Sequence, residues 1–204
     1  MHLYFVRHGE SQANVERVIS NRDLPHPLTE RGRLQARELA ERLAGVGATA
    51  LYASPIPRAV ETAEILGDRL GLPVVRHAAL REFDCGMVEG CGDAAAWAAH
   101  EEVIAAWASG QLSARIPDGE SFEEMAARFV PFVADLQKNG TPQNVTSILV
   151  GHGSLFHHML PLVLDNVDRD WIVQYPLRNC AVVHAVAQGE QLHCHSWDGQ
   201  PLPV

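Results

Sequence analysis

At 204 residues, 47% hydrophobic and 20% charged, the chain has the makeup of a soluble globular protein, with room for one good-sized domain carrying an insertion. A formal charge of −9 argues against nucleic acid or an anionic membrane as main partner, so any bound anion must be held by a local basic cluster. Lys138 is the single lysine and no G-x-x-x-x-G-K-[ST] loop occurs, which excludes a P-loop nucleotide site and leaves almost no scope for a Schiff-base lysine.

The chain opens on a short apolar run, Leu3 to Val6, that reads as a strand and is far too short for a signal-peptide core. No run approaches ~18 apolar residues, so no membrane span is expected. Cys85, Cys91, Cys180 and Cys194 form no C-x-x-C pair, which fits a cytoplasmic protein with reduced thiols. Arg7-His8-Gly9-Glu10 then makes a polar turn into a helix from Ser11 to about Ile19. Free N–H groups at a helix start favour an anion, and an arginine adds a fork that matches phosphate oxygens. Alone, such a triplet means little.

A loop over 20–27 contains Pro25 and Pro27. Thr29 is the expected N-cap of a helix to about Ala44, with Ala36, Leu39, Ala40 and Leu43 as its apolar stripe. Residues 49–53 read as a buried strand. Ser54 and Pro55 are expected to cap and open the next helix, which Gly71 stops and whose first turn holds Arg58. Leu72 to about Arg76 is a third strand, with Glu82 in the loop beyond. Residues 87 to about 118 break this rhythm with an Ala-rich helix, read as a helical insertion over one end of the sheet. Trp97, Ile104 and Trp107 form a stripe there that reads as packing.

Residues 120–138 form a helix that Pro131 should kink, followed by a strand over 144–150. Gly140 is part of a helix-end signal after Lys138. Gly151-His152-Gly153 comes next, then a helix from Ser154 to about Leu164, a short helix near Asp170 and a hairpin of 180–187 with 191–197. His193, Cys194 and His195, with His184, read as a polar face of that hairpin rather than as a metal site. The elements alternate as expected for an α/β fold: a three-layer αβα sandwich around a mainly parallel sheet, forming one domain.

The chemistry gathers at the strand ends. Arg7-His8-Gly9, Arg58, Glu82 and Gly151-His152-Gly153 each come just past one, and in an open parallel sheet such loops share the edge where ligands bind. Two arginines, two histidines and one carboxyl suit phosphoryl transfer. The arginines and the Gly153 N–H would hold the phosphoryl oxygens, an imidazole would attack phosphorus, and a protonated Glu82 would serve the leaving oxygen.

These residues resemble the histidine phosphatase superfamily, the phosphoglycerate-mutase-like proteins. The likeness runs over about residues 3–160. It joins the opening motif through Asn14 to Pro27-Leu28-Thr29-Glu30-Arg31-Gly32, then to Ser54-Pro55 with Arg58 and Glu61-Thr62-Ala63. It continues through Leu80-Arg81-Glu82-Phe83, Pro117-Asp118-Gly119-Glu120-Ser121 and Gly151-His152-Gly153. The resemblance implies that His8 is the phosphorylated nucleophile, that Arg7, Arg58 and His152 bind the phosphoryl group, and that Glu82 is the proton donor and acceptor. It also implies that Asn14 helps hold the phosphate and that Ser20 and Asn21 approach substrate.

Ala13-Asn14 stands where the family's mutases usually have Trp-Asn, and the interval from Glu82 to His152 holds only Arg115, Arg128 and Lys138 as cations. The expectation is a small phosphatase of the broad-specificity or α-ribazole-phosphate kind. It would act on a small phosphorylated metabolite, with no cofactor and no metal. A cofactor-dependent phosphoglycerate mutase is the alternative, and a non-catalytic phospho-ligand sensor a further one. Gly9-Glu10-Ser11-Gln12-Ala13 falls one residue short of a hydrolase nucleophile elbow, sits too early in the chain and lacks an oxyanion loop.

Overall fold

The computed structural model describes residues 1–139, 145–189, 191–200 and 202. Its six strands are β1 (His2–Arg7), β2 (Ala50–Ala53), β3 (Val74–Arg76), β4 (Thr146–Gly151), β5 (Val182–Gln188) and β6 (Gln191–Trp197). They lie in the order β3-β2-β4-β1-β5-β6. The first four in this order run parallel, and β5 and β6 add an antiparallel edge. Every residue of β4 is buried. Its apolar run is what a central parallel strand covered on both faces requires.

The side-chain alternation of β1 divides the core. Leu3 and Phe5 pack on one face with Leu149, Phe129 and Phe156; Val6 packs on the other with Ile148 and Val150. The second face is covered by α2 (Glu30–Leu43) and α3 (Pro57–Leu70), through Ala36, Leu39, Ala63 and Leu66. The first is covered by α5 (Phe122–Asn139), α6 (Gly153–Met159) and α7 (Arg169–Gln174). Each fully buried Phe or Leu there contributes roughly 1.5–3 kcal/mol. The layers are therefore helix, sheet, helix, as the sequence pattern indicated. The remaining helices are α1 (Gln12–Glu16) and α4 (Ala94–Ala108).

Several element boundaries differ from expectation for local reasons. Helix α1 is short because Arg17 takes a left-handed conformation (φ 56°) and donates its N–H back to Ala13. Helix α3 begins at Pro57, with Ile56 as its N-cap, not at Pro55 after Ser54. Ser54 Oγ instead accepts from the Ile56 N–H at 3.2 Å, holding a turn ahead of the helix. Helix α6 stops at Met159 and tightens into a 3₁₀ turn over Leu160–Leu162. Pro131 lies inside α5 as expected. The start of the fourth strand at Asn144 and the stop signal at Gly140 lie outside the described residues.

One glycine sets how the first loop docks. A Cβ on Gly32 would lie 2.0 Å from the Glu10 carbonyl oxygen, so only a glycine lets α2 come this close to the turn after β1.

Candidate active site

Strand register brings the two histidines together. Arg7 pairs with Gly151 in the parallel β1–β4 ladder, so His8 and His152 leave adjacent strands at the same level. Their ring centroids are 5.1 Å apart and inclined at 61°. Both rings are buried. Arg58 arrives from the first turn of α3, and Glu82 from the segment after the 3₁₀ turn Ala78–Leu80. Arg7, His8, Arg58, Glu82, Asn14, Ser20, Asn21 and Gly153 all line one cavity of about 360 Å³; His152 is fully buried beside His8 and is not among the residues that line it.

The hydrogen bonds assign the tautomer of His8. His8 Nδ1 lies 2.6 Å from the Gly9 carbonyl, and Arg58 Nε donates to His8 Nε2 at 2.9 Å. A carbonyl can only accept, so the His8 proton sits on Nδ1 and Nε2 carries the lone pair. His152 Nε2 lies 2.7 Å from Ser54 Oγ, which already accepts from Ile56. Ser54 Oγ keeps a second lone pair as well as its proton, so this contact fits either His152 tautomer; donation by the serine would place the His152 proton on Nδ1. That Nδ1 is buried and, among the described residues, has no partner; Arg7 Nε is in the same condition. Buried polar atoms left unpaired are costly, roughly 1–3 kcal/mol each, so Arg7 Nε, always a donor, is suited to a bound anion, as is His152 Nδ1 in the tautomer that protonates it.

Burial holds His8 well below the ordinary histidine range, with Arg58 and Arg7 pushing the same way and the Gly9 carbonyl opposing them. His152 is lowered by burial, then by Arg58 and His8. Burial brings the Arg58 guanidinium down to about 10, against the attraction of Glu82. It still leaves Arg58 charged at neutral pH. Glu82 moves the other way. Burial raises it, although its oxygens accept from the Ser154 N–H at 2.9 Å and the Phe83 N–H at 3.2 Å. The site therefore pairs a neutral His8 imidazole with a carboxyl that keeps its proton to higher pH than usual.

Ser20 and Asn21 reach the site chiefly through what they do for Arg58. The Ser20 carbonyl accepts from Arg58 Nη1, and Asn21 Oδ1 accepts from Nη2 at 3.4 Å. Asn21 Nδ2 is tied to the Phe83 carbonyl at 2.9 Å. The Asn14 side chain closes a capping box with Ser11 at the start of α1, which occupies its Oδ1. The Gly153 backbone lies directly against the Arg7 guanidinium: a Cβ there would be 3.2 Å from Arg7 Cζ.

Sequence reasoning missed a strap across the loop that carries His8. The Leu177 carbonyl accepts from Arg7 Nη1 at 2.6 Å, and Asn179 Nδ2 donates to the His8 carbonyl at 3.1 Å. The Cys180 N–H donates to the Arg7 carbonyl at 3.0 Å. No motif marks a residue that works through its backbone carbonyl. Thr62 was also missed. It accepts from the Gly9 N–H at 3.1 Å and donates to the Arg58 carbonyl at 2.7 Å, joining the two halves of the site. The apolar stripe of α4 packs as expected: Trp107 is fully buried core, and Trp97 and Ile104 pack against that core while also lining the cavity beside His100 and His157.

The C-terminal histidines are elsewhere and otherwise engaged. His193 Nδ1 lies 2.9 Å from Asp165, and His184 stacks on Tyr4 at 4.3 Å. Among the described residues no group of three or more His, Cys, Asp or Glu is placed to hold a metal ion. All four cysteines are free thiols. No helix among the described residues is long and apolar enough to cross a membrane.

The family model for the histidine phosphatase superfamily (branch 1) matches residues 3–199, past the C-terminal strand. The chain belongs to the histidine phosphatase superfamily. Within it, the probable phosphoglycerate mutase GpmB of Enterobacter sp. (strain 638) is 34% identical over 185 residues, covering 89% of this chain and 83% of that protein. The protein of the same name from Salmonella arizonae is 31% identical and covers 97% and 90%. A mycobacterial glucosyl-3-phosphoglycerate phosphatase, solved with VO3, superposes with a TM-score of 0.82 at 28% identity over 98% of this chain and 99% of that one. A putative α-ribazole-5'-P phosphatase from Escherichia coli shares the fold at a TM-score of 0.82, 24% identity and coverage of 100% and 98%.

Proposed function

We propose that this protein is a phosphomonoester hydrolase that works through a phosphohistidine on His8, on a small phosphorylated metabolite. The observation that carries the reading is the neutral His8 imidazole, its Nε2 lone pair facing the cavity cations opposite His152. A site that only bound phosphate would need neither a nucleophile nor a buried proton donor. In the first step His8 Nε2 attacks phosphorus. The P–O ester bond breaks, and the Glu82 proton passes to the leaving oxygen. Arg7 and the Nδ1–H of His152 donate to the phosphoryl oxygens. The Arg58 Nε–H, which covers the lone pair in the free enzyme, turns to them as the P–N bond forms.

In the second step the Glu82 carboxylate takes a proton from water as the oxygen attacks phosphorus. The P–N bond breaks, and inorganic phosphate, neutral His8 and protonated Glu82 are restored. Two guanidinium groups and the imidazole donor supply the positive field, so the chemistry requires no metal and is expected to survive EDTA. The mutase reading draws on the relatives' name. Against it, the cavity offers a phosphoglycerate no cation besides Arg7 and Arg58 among its lining residues.

The test is a hydrolysis screen over phosphomonoesters with His8→Ala as control. Hydrolysis in EDTA and an acid-labile phosphoenzyme absent from His8→Ala support the proposal. Turnover of phosphoglycerate only after priming by a bisphosphate would establish the mutase. Phosphate binding with no turnover of any ester would establish a sensor.

A further inference from the structure

Once the phosphoryl group is assigned to Arg7, Arg58 and His152, the outer part of the cavity remains. Its wall is Val18, Trp97, His100, Ile104 and His157, with His158 beside them. No lysine or arginine joins this group. The adjoining groove shares Trp97 and adds Glu16, Arg17 and Glu101, in which acidic groups outnumber basic ones. A second anion entering here would lose its water and meet uncharged groups, with Glu82 at the floor and carboxylates at the rim.

The imidazoles are themselves uncharged near neutral pH. Burial lowers His100 and His157, and brings His158 to about 3. A neutral imidazole carries one donor and one acceptor, so it can both give and take a hydrogen bond with a hydroxyl, whereas to a carboxylate it offers a donor but no compensating charge. Among the described residues, the ring nitrogens of His100 and His157 bond to no protein group, while His100 is fixed edge-on to Trp97 with centroids 5.4 Å apart. Trp97 is anchored by its Nε1–H to the Arg17 carbonyl at 2.8 Å. The wall is thus a held aromatic face beside two neutral hydrogen-bonding rings.

Building on the phosphatase reading, we infer that the leaving group is an uncharged, hydroxyl-bearing alcohol of sugar or nucleoside type. Trp97, His100 and His157 select it against phosphomonoesters that carry a second anion. The test is a matched pair, glycerol 3-phosphate and 3-phosphoglycerate, which differ by a CH2OH in place of a carboxylate. Ribose 5-phosphate is the larger neutral ester and phenyl phosphate the reference.

The expected result is kcat/KM for glycerol 3-phosphate and ribose 5-phosphate about tenfold or more above that for 3-phosphoglycerate. Equal or better hydrolysis of 3-phosphoglycerate would overturn the inference and leave the phosphatase reading intact. His157→Arg, which adds a cation to the wall, should move the ratio toward 3-phosphoglycerate. His157→Gln, which keeps a donor and an acceptor, should preserve it. A ratio unmoved in a folded His157→Arg enzyme would remove His157 from the selecting wall. Failure to hydrolyse every ester, phenyl phosphate included, would remove the phosphatase reading and this inference with it.

Discussion

The Nε–H of Arg58 is bonded to the Nε2 lone pair of His8 across 2.9 Å, so the proposed nucleophile and its nearest cation are held as one unit before any substrate arrives. The guanidinium is fixed in turn by the Ser20 carbonyl and Asn21. A lysine could not reproduce three directed bonds from one planar fork. Arg58→Lys and Arg58→Ala are both expected to lower kcat/KM by on the order of 10²-fold, by analogy with loss of one oxyanion donor. Steady-state kinetics on phenyl phosphate decide it, and a near-normal rate in Arg58→Ala would remove Arg58 from the mechanism.

In the proposed mechanism Glu82 acts in both steps, but its first role depends on the leaving group. Nitrophenolate departs without a proton, whereas an alkoxide does not. Glu82→Gln is therefore expected to lose about 10²–10⁴-fold on an alkyl phosphate. On p-nitrophenyl phosphate it should instead release a burst of nitrophenol, close to one per active site, followed by slow turnover as the phosphoenzyme accumulates. Stopped-flow absorbance would show the burst. Its absence, with full steady turnover, would show that another group activates water.

The pH profile is set by opposite shifts. His8 is pushed down, so it stays neutral and able to attack below the ordinary histidine range; activity falls only when pH drops through that lowered value. Glu82 is pushed up, so it keeps its proton above the ordinary carboxyl range, and activity on alkyl esters falls as pH rises through that raised value. The optimum should lie between the lowered His8 value and the raised Glu82 value. The ester's own ionisation near pH 6 affects wild type and Glu82→Gln alike. Comparing their kcat/KM profiles isolates the alkaline descent, which should be lost in the variant.

Gly153 tests the phosphoryl cradle through its backbone. A methyl at this position would press on the Arg7 guanidinium from 3.2 Å, which is tight but relieved by a small shift. Gly153→Ala is expected to fold normally by circular dichroism yet lose about tenfold in kcat/KM, since sub-ångström misplacement of a phosphate donor is costly. Unaltered kinetics would show that Arg7 has freedom to move aside.

Asn179 holds the His8 loop without entering the proposed chemistry. Its Nδ2 bonds the His8 carbonyl and Asn14 Oδ1, at 3.1 and 3.2 Å. Asn179→Ala should cost about 0.5–1.5 kcal/mol of stability by denaturant unfolding, with a decrease in kcat larger than any change in KM. A stability loss with kinetics untouched would make the strap purely structural.

Much of this architecture was legible in the linear chain because its cues are local. The apolar runs of β1 and β4, the Thr29 cap of α2, and the stripe of Ala36, Leu39 and Leu43 each specify an element from neighbouring residues. The placement of Arg7-His8 and Gly151-His152 just past two strands was equally visible, and the parallel register of those strands turned it into contact. Local cues were misleading where a side chain had two uses. Ser54 reads as a helix cap, but its hydroxyl braces a turn and faces His152 instead. Trp97 reads as packing at helical spacing and does pack against the core, but it also lines the cavity, which Trp107, further along the same helix, does not.

What the sequence determined by itself is therefore the chemical inventory and the family: two imidazoles, two guanidiniums and a carboxyl, each after a strand, in an order that the histidine phosphatase match covers. Tertiary structure alone decided which ring nitrogen is free, which way Glu82 and His8 shift, and that Leu177 and Asn179 hold the loop. It also decided that neutral imidazoles, not cations, wall the outer cavity. Burial and hydrogen-bond partners are set by residues distant in the chain, whereas periodicity and capping are set by residues within a few positions.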